Sequence, residues 1–99
     1  MDFKLEISIK ARKELLDAID WYEQKQTGLG DRFASVVIGQ INQINSSPFL
    51  YTQRNKHHRE VKVNQFPYLI VYSVSKKKNM ILIVSIFHSS RSTKSKYKA

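Results

Sequence analysis

The chain has 99 residues, 41% of them apolar and 25% charged, which suits one globular domain with a single core. It lacks cysteine, which excludes disulfides and thiolate metal sites. No apolar run approaches the roughly 18–20 residues that span a bilayer, and Met1-Asp2-Phe3-Lys4 carries no signal-peptide pattern, so a cytoplasmic protein without membrane contact is expected.

The net charge of +9 is unevenly spread. Residues 1–50 hold six Lys/Arg against seven Asp/Glu, whereas residues 51–99 hold eleven against Glu60 alone. Such asymmetry points the second half toward a polyanion, because phosphate neutralisation dominates nucleic-acid affinity.

Phe3, Leu5, Ile7 and Ile9 alternate with polar residues and predict a half-buried strand. Ser8 is placed to cap the helix that follows. Ala11, Leu15, Ala18, Ile19 and Tyr22 recur at steps of three and four, predicting a helix over about residues 9–26 that ends at Thr27-Gly28. Leu29, Phe33, Val36, Val37, Ile41 and Ile44 form the stripe of a second helix, which Asn45-Ser46-Ser47-Pro48 closes. The short link makes an antiparallel helical hairpin whose stripes need a sheet to cover them.

Residues 49–57 show no period and predict a loop. Arg59 to Val63 alternates as a strand, with Arg59 sharing the inward parity of Val61 and Val63. His58, Glu60 and Lys62 fall on the outward side. Tyr68–Ser75 and Met80–Phe87 form a hairpin around Lys76-Lys77-Lys78-Asn79. The second of these strands is continuously apolar and suits a central position covered on both faces. The expected fold is α+β, a single β-α-α-β-β-β domain over residues 1–91 with the helical hairpin packed on an antiparallel sheet, followed by a basic tail at 92–99.

No nucleophilic serine motif, zinc signature or dinucleotide fingerprint occurs. Three histidines without cysteine, and no helical pair at ligand spacing, predict no metal site and no cofactor. Carboxylate pairs are missing from the basic half, so any RNA cleavage would use Arg, Lys, His and Tyr and no metal. His88 at a strand end suits a general acid or base, and Arg91 three residues on suits phosphate binding. Tyr97 stands among the tail lysines Lys94, Lys96 and Lys98; such a composition can stack on bases and bind phosphates, but on the residues alone it reads first as a solubilising tail.

The motifs Leu15-x-x-Ala18-Ile19-Asp20-Trp21-Tyr22-Glu23, Gly28-Leu29-Gly30-Asp31-Arg32-Phe33, Arg59-Glu60-Val61, Phe66-Pro67-Tyr68-Leu69-Ile70-Val71-Tyr72 and Ile86-Phe87-His88-Ser89-Ser90-Arg91 occur in this order. Together they resemble the RelE/ParE superfamily of type II toxin–antitoxin toxins. The resemblance implies a growth-inhibiting toxin held in check by a cognate antitoxin that is acidic and partly disordered until bound. The RelE-like branch implies ribosome-dependent, metal-free mRNA cleavage. Arg91, His88 and Tyr97 would then be catalytic, and Arg59, Lys56, Lys62 and Lys94 would hold the RNA. The arginine that this branch carries before the hairpin strand is replaced here by Asn64. The ParE-like branch instead implies inhibition of DNA gyrase by protein contact. Endonuclease activity is the first expectation and gyrase inhibition the alternative.

Overall fold

The computed structural model describes residues 3–90. The elements run β1 (Lys4–Ile7), α1 (Ile9–Lys25), α2 (Leu29–Ser46), β2 (Thr52–Gln53), β3 (Arg59–Lys62), β4 (Tyr68–Ser75) and β5 (Met80–His88). The five strands form one sheet in the order β1-β5-β4-β3-β2, with the helical hairpin on one face. The expected α+β architecture is therefore observed.

Two details differ from the sequence reading. The edge strand β1 runs parallel to β5, Lys4 opposite Met80 and Ile7 opposite Ile83, so the sheet is mixed. A parallel neighbour requires a long connection, and here nearly the whole chain supplies it. Thr52 and Gln53, expected in a loop, pair with Glu60 and Arg59. Two residues are too few to carry a period.

Local chemistry accounts for the helix ends. Ser8 Oγ accepts the Ala11 N–H at 3.0 Å, as an N-cap should. Gly28 adopts φ +89° between the helices, a conformation that disfavours a β-carbon. Gly30 sits where a Cβ would lie 2.7 Å from the Ile19 carbonyl, which lets α2 cross close to α1. The Glu23 carboxylate accepts N–H bonds from Gly28 and Gly30, each at 3.0 Å. It thereby satisfies the start of α2 with the sign of charge that the helix dipole favours.

The core lies between the helices and the inner face of the sheet. Tyr22, Phe33, Phe66 and Tyr68 form its aromatic centre, with Phe33 at 5.0 Å from each of the other three. Ile70, Tyr72, Ile81, Ile83 and Ile86 continue it along the sheet. On the outer face Val71, Val84 and Phe87 form a second buried cluster, flanked by Leu69 and Leu82. β5 is thus covered on both faces, as its largely apolar run, interrupted by Ser85, predicts.

β4 and β5 slip register by one residue. Val71 faces Ser85 while Tyr72 faces Ile83, so Val84 is an extra residue on β5. α1 closes the strand edge where β1 ends: Ser8 Oγ donates to Val84 O at 2.9 Å. Glu14 Oε1 accepts the Ser85 hydroxyl at 2.9 Å and the Ile86 N–H at 3.0 Å. Across the sheet, buried Gln40 donates to Lys62 O and accepts the Asn64 N–H, which clamps the turn into β4.

Candidate functional site

The predicted site residues fall into separate regions. His88 ends β5 opposite Tyr68, and the two rings meet edge to face at 5.3 Å. Because Tyr68 is locked in the aromatic core, the histidine ring inherits a fixed position. The Ser90 N–H donates to His88 Nδ1 at 3.1 Å, which selects the tautomer protonated on Nε2.

A cavity of about 380 Å³ borders this ring, lined among others by Glu14, Asp17, Trp21, Tyr68 and Ser90. Its charged walls are the two carboxylates, and no Lys or Arg of the described residues lines it. Trp21, 54% exposed, forms part of the rim.

Arg59 and Lys56 come together elsewhere. They line an open cleft of about 600 Å³ with Phe49, Gln53, His57, His58 and the strand-end residues Ser73 to Lys76. Val74 in this cleft is six residues along β4 from Tyr68, so the cleft lies about 20 Å from His88 at strand rise. Lys62, exposed on the opposite face of β3 from Arg59, joins neither group. Arg91, Tyr97 and Lys94, together with the tail at 92–99, lie outside the described residues.

The cleft is built by a strap formed by residues 48–51. Arg59 Nη1 donates to Tyr51 O at 2.8 Å and to Phe49 O at 3.2 Å. Tyr72 donates its hydroxyl to Pro48 O at 2.7 Å. Burial pushes the Tyr72 hydroxyl up to about 12, against the opposing pull of the Arg59 charge. The Phe49 ring carries two cations, the Arg59 guanidinium at 5.3 Å and Lys76 Nζ at 5.0 Å.

Glu60 keeps the outward parity expected of it yet is only 6% exposed, beside Val71 on the outer face. Arg54 Nε stands 3.6 Å from its carboxylate. Sequence reading also missed Lys76 and Phe49. The lysine run reads as a hydrated turn and Phe49 as a loop residue; only the proline beside Phe49 hints at a fixed position.

Comparison with known proteins gives consistent results. The family model for the ParE toxin of the type II toxin–antitoxin system parDE matches residues 5–93. No curated protein matches by sequence. Among solved structures, a chain of the chromosomal ParDE system from P. aeruginosa is similar with a TM-score of 0.72 at 16% identity, covering 87% of this chain and 95% of that one. The isolated E. coli RelE toxin is similar with a TM-score of 0.61 at 16% identity, covering 92% and 88%. An E. coli RelE mutant in complex with an antitoxin RelBc peptide gives 0.62 at 16% identity, covering 96% and 90%.

Proposed function

The chain belongs to the ParE toxin family of type II toxin–antitoxin systems, and we propose that it arrests growth by contact with DNA gyrase, without cleaving RNA. The observation that carries this reading is the separation of His88 from Lys56 and Arg59. Metal-free cleavage needs a proton-transfer group and cations around one phosphate, within hydrogen-bond reach of the reacting atoms. Here His88 lines one cavity with Glu14 and Asp17, while Lys56 and Arg59 line a different cleft, and Arg91 lies outside the described residues.

The toxin acts in the cytoplasm, where its target is found, and is neutralised by a cognate antitoxin. Solved relatives include a ParDE system and a RelE mutant bound to an antitoxin peptide. A partly disordered, acidic antitoxin would suit the basic second half of this chain, folding as it binds.

The test uses the purified toxin in two assays. In a gyrase supercoiling assay the expected result is inhibition with trapped cleavage complexes, relieved by the antitoxin. With programmed ribosomes the expected result is intact mRNA. Normal supercoiling at excess toxin, together with codon-positioned mRNA ends, overturns the reading in favour of the RelE-like one.

A further inference from the structure

We propose that the outer edge of β1 is a self-association surface, on which a second copy of this chain lays its own β1 antiparallel, with Leu5 on the two-fold axis. The site lies at the opposite edge of the sheet from β2 and β3 and does not depend on the gyrase reading.

Backbone geometry is the first argument. β1 ends the sheet and pairs with β5. Lys4 N–H donates to Asn79 O and Ser8 N–H to Ile83 O, so the even-numbered residues turn their backbone groups toward β5. Alternation along the strand turns the N–H and C=O of Leu5 and Ile7 the other way. No strand of the described residues meets them there. Such a row is a template for another strand, and charged side chains are the usual means of blunting it.

Here the charges select a partner strand of the same sequence. Lys4 and Glu6 are both exposed, two residues apart on one face and opposite in sign. Neither makes an ion pair among the described residues. An antiparallel neighbour must set outward backbone groups against outward ones, which centres a two-fold pairing on a residue of the strand. Centred on Lys4 or on Glu6, it places like charges directly opposite each other, which is unfavourable. Centred on Ile7, it runs into α1, which starts at Ile9. Centred on Leu5, it sets Lys4 against Glu6 of the second copy and Glu6 against that copy's Lys4. Every contact then occurs twice, as an isologous interface requires.

Apolar surface beside the edge points the same way. Ile9 is 89% exposed. With Leu5, Ile7 and Leu82 it borders a groove of about 520 Å³ whose charged margin is Glu6 and Arg12. The Leu5-centred register brings Phe3 of the second copy opposite Ile7, next to this groove. A strand of four residues covers less than the about 1,200–2,000 Å² of a standard interface, so the dimer dissociates on dilution.

The experiment is sedimentation equilibrium of the full chain, free of antitoxin, over a concentration series. The wild type should pass reversibly between monomer and dimer. Glu6→Lys and Lys4→Glu, both at exposed positions, should each keep the wild-type Tm and weaken dimerisation at least about tenfold, because each sets like charges opposite one another. Mixed in equal amounts, the two variants bring an edge with two acids against an edge with two lysines and should regain most of the wild-type affinity. Lys13→Glu alters charge on the exposed side of α1 and should leave dimerisation unchanged.

A wild type that stays monomeric at its highest soluble concentration overturns the proposal. So does a dimer that tolerates both reversals, or a pair of variants that fail to rescue each other. Amide exchange tests the other occupant: slowed exchange at Leu5 and Ile7 in the dimer supports the pairing. Slowing that appears only when antitoxin is added assigns the edge to the antitoxin and overturns it. Gyrase is absent from these measurements, so their failure and failure of the gyrase reading are separate results.

Discussion

Arg59 and Tyr72 face each other across β3 and β4, and both reach over the strand end to hold the same segment, Arg59 at Tyr51 O and Tyr72 at Pro48 O. The connection out of α2 is therefore fixed by two side chains from neighbouring strands. It is tied down at both ends although it has almost no regular structure of its own.

The buried tyrosine gives this tie a pH dependence. Burial lifts the Tyr72 hydroxyl from 10.0 to about 12 in the folded protein. A group with a raised folded-state value stabilises the fold fully below its unfolded value, and that contribution fades as pH rises from about 10 to about 12. Tyr22 shifts in the same direction, mainly through burial. Thermal melts between pH 9 and pH 12 should show the wild type losing stability through this window. Tyr72→Phe should start about 1 kcal/mol less stable at neutral pH, for want of the hydrogen bond, and show a shallower alkaline decline. An unchanged alkaline slope would remove Tyr72 from the explanation.

The extra residue on β5 makes Glu14 structurally important. Its carboxylate accepts the Ile86 N–H and the Ser85 hydroxyl. Glu14→Ala leaves a strand-edge N–H without its acceptor and should cost about 1–3 kcal/mol. Glu14→Gln keeps an acceptor oxygen and should recover most of that. Urea denaturation of the pair checks it; equal destabilisation would indicate that charge, not the acceptor, is what matters.

The crossing of the helices depends on Gly30. A Cβ there would lie 2.7 Å from Ile19 O and 3.0 Å from Glu23 Cβ, so Gly30→Ala should destabilise by about 1–3 kcal/mol through overpacking. The same change at Gly39, where nothing lies within 4 Å of the new methyl, should stabilise by up to about 1 kcal/mol through helix propensity. Opposite shifts in Tm for two glycine-to-alanine changes in one helix are the expected result.

His88 offers a functional discrimination. A general acid or base contributes about 10²–10⁴-fold to a rate, so His88→Asn would abolish growth arrest if the residue moved a proton. Under the contact reading the variant should still arrest growth on induced expression and still inhibit supercoiling. Absence of arrest in a variant that folds and still binds its antitoxin would restore a catalytic role to this residue.

The elements other than β2 are readable because each carries a clean pattern. Alternation from Phe3 and the steps of three and four from Ala11 to Tyr22 place the first strand and helix, although Ile9, read with the strand, opens α1 and is 89% exposed. Ser8 was recognisable as a cap from residue type and position. The nearly continuous apolar run from Met80 to Phe87, broken at Ser85, reveals a strand covered on both faces. What could not be read depends on long-range geometry. Nothing local makes Lys4 a neighbour of Met80. The parity of Glu60 was legible, whereas its burial beside Val71 and Arg54 depends on how neighbouring strands lie. The separation of His88 from Lys56 and Arg59 follows from the antiparallel register of β3, β4 and β5, which sends His88 to one end of the sheet and Arg59 toward the other.

One inserted residue also decides which surface of the molecule the end of β5 serves. Simple alternation from Ile81 and Ile83 would send Ser85 and Phe87 toward the helices and turn Ile86 and His88 outward. With Val84 interposed, Ile86 joins the helix-side core and His88 meets Tyr68 there. A relative of this chain without the extra residue would present the equivalent end-of-strand side chain on the far side of the sheet. Aligning such chains by their final histidine or arginine would then equate groups that look out on opposite surroundings, so functional residues at this position should be compared only after the strand pairing has been counted through the insertion.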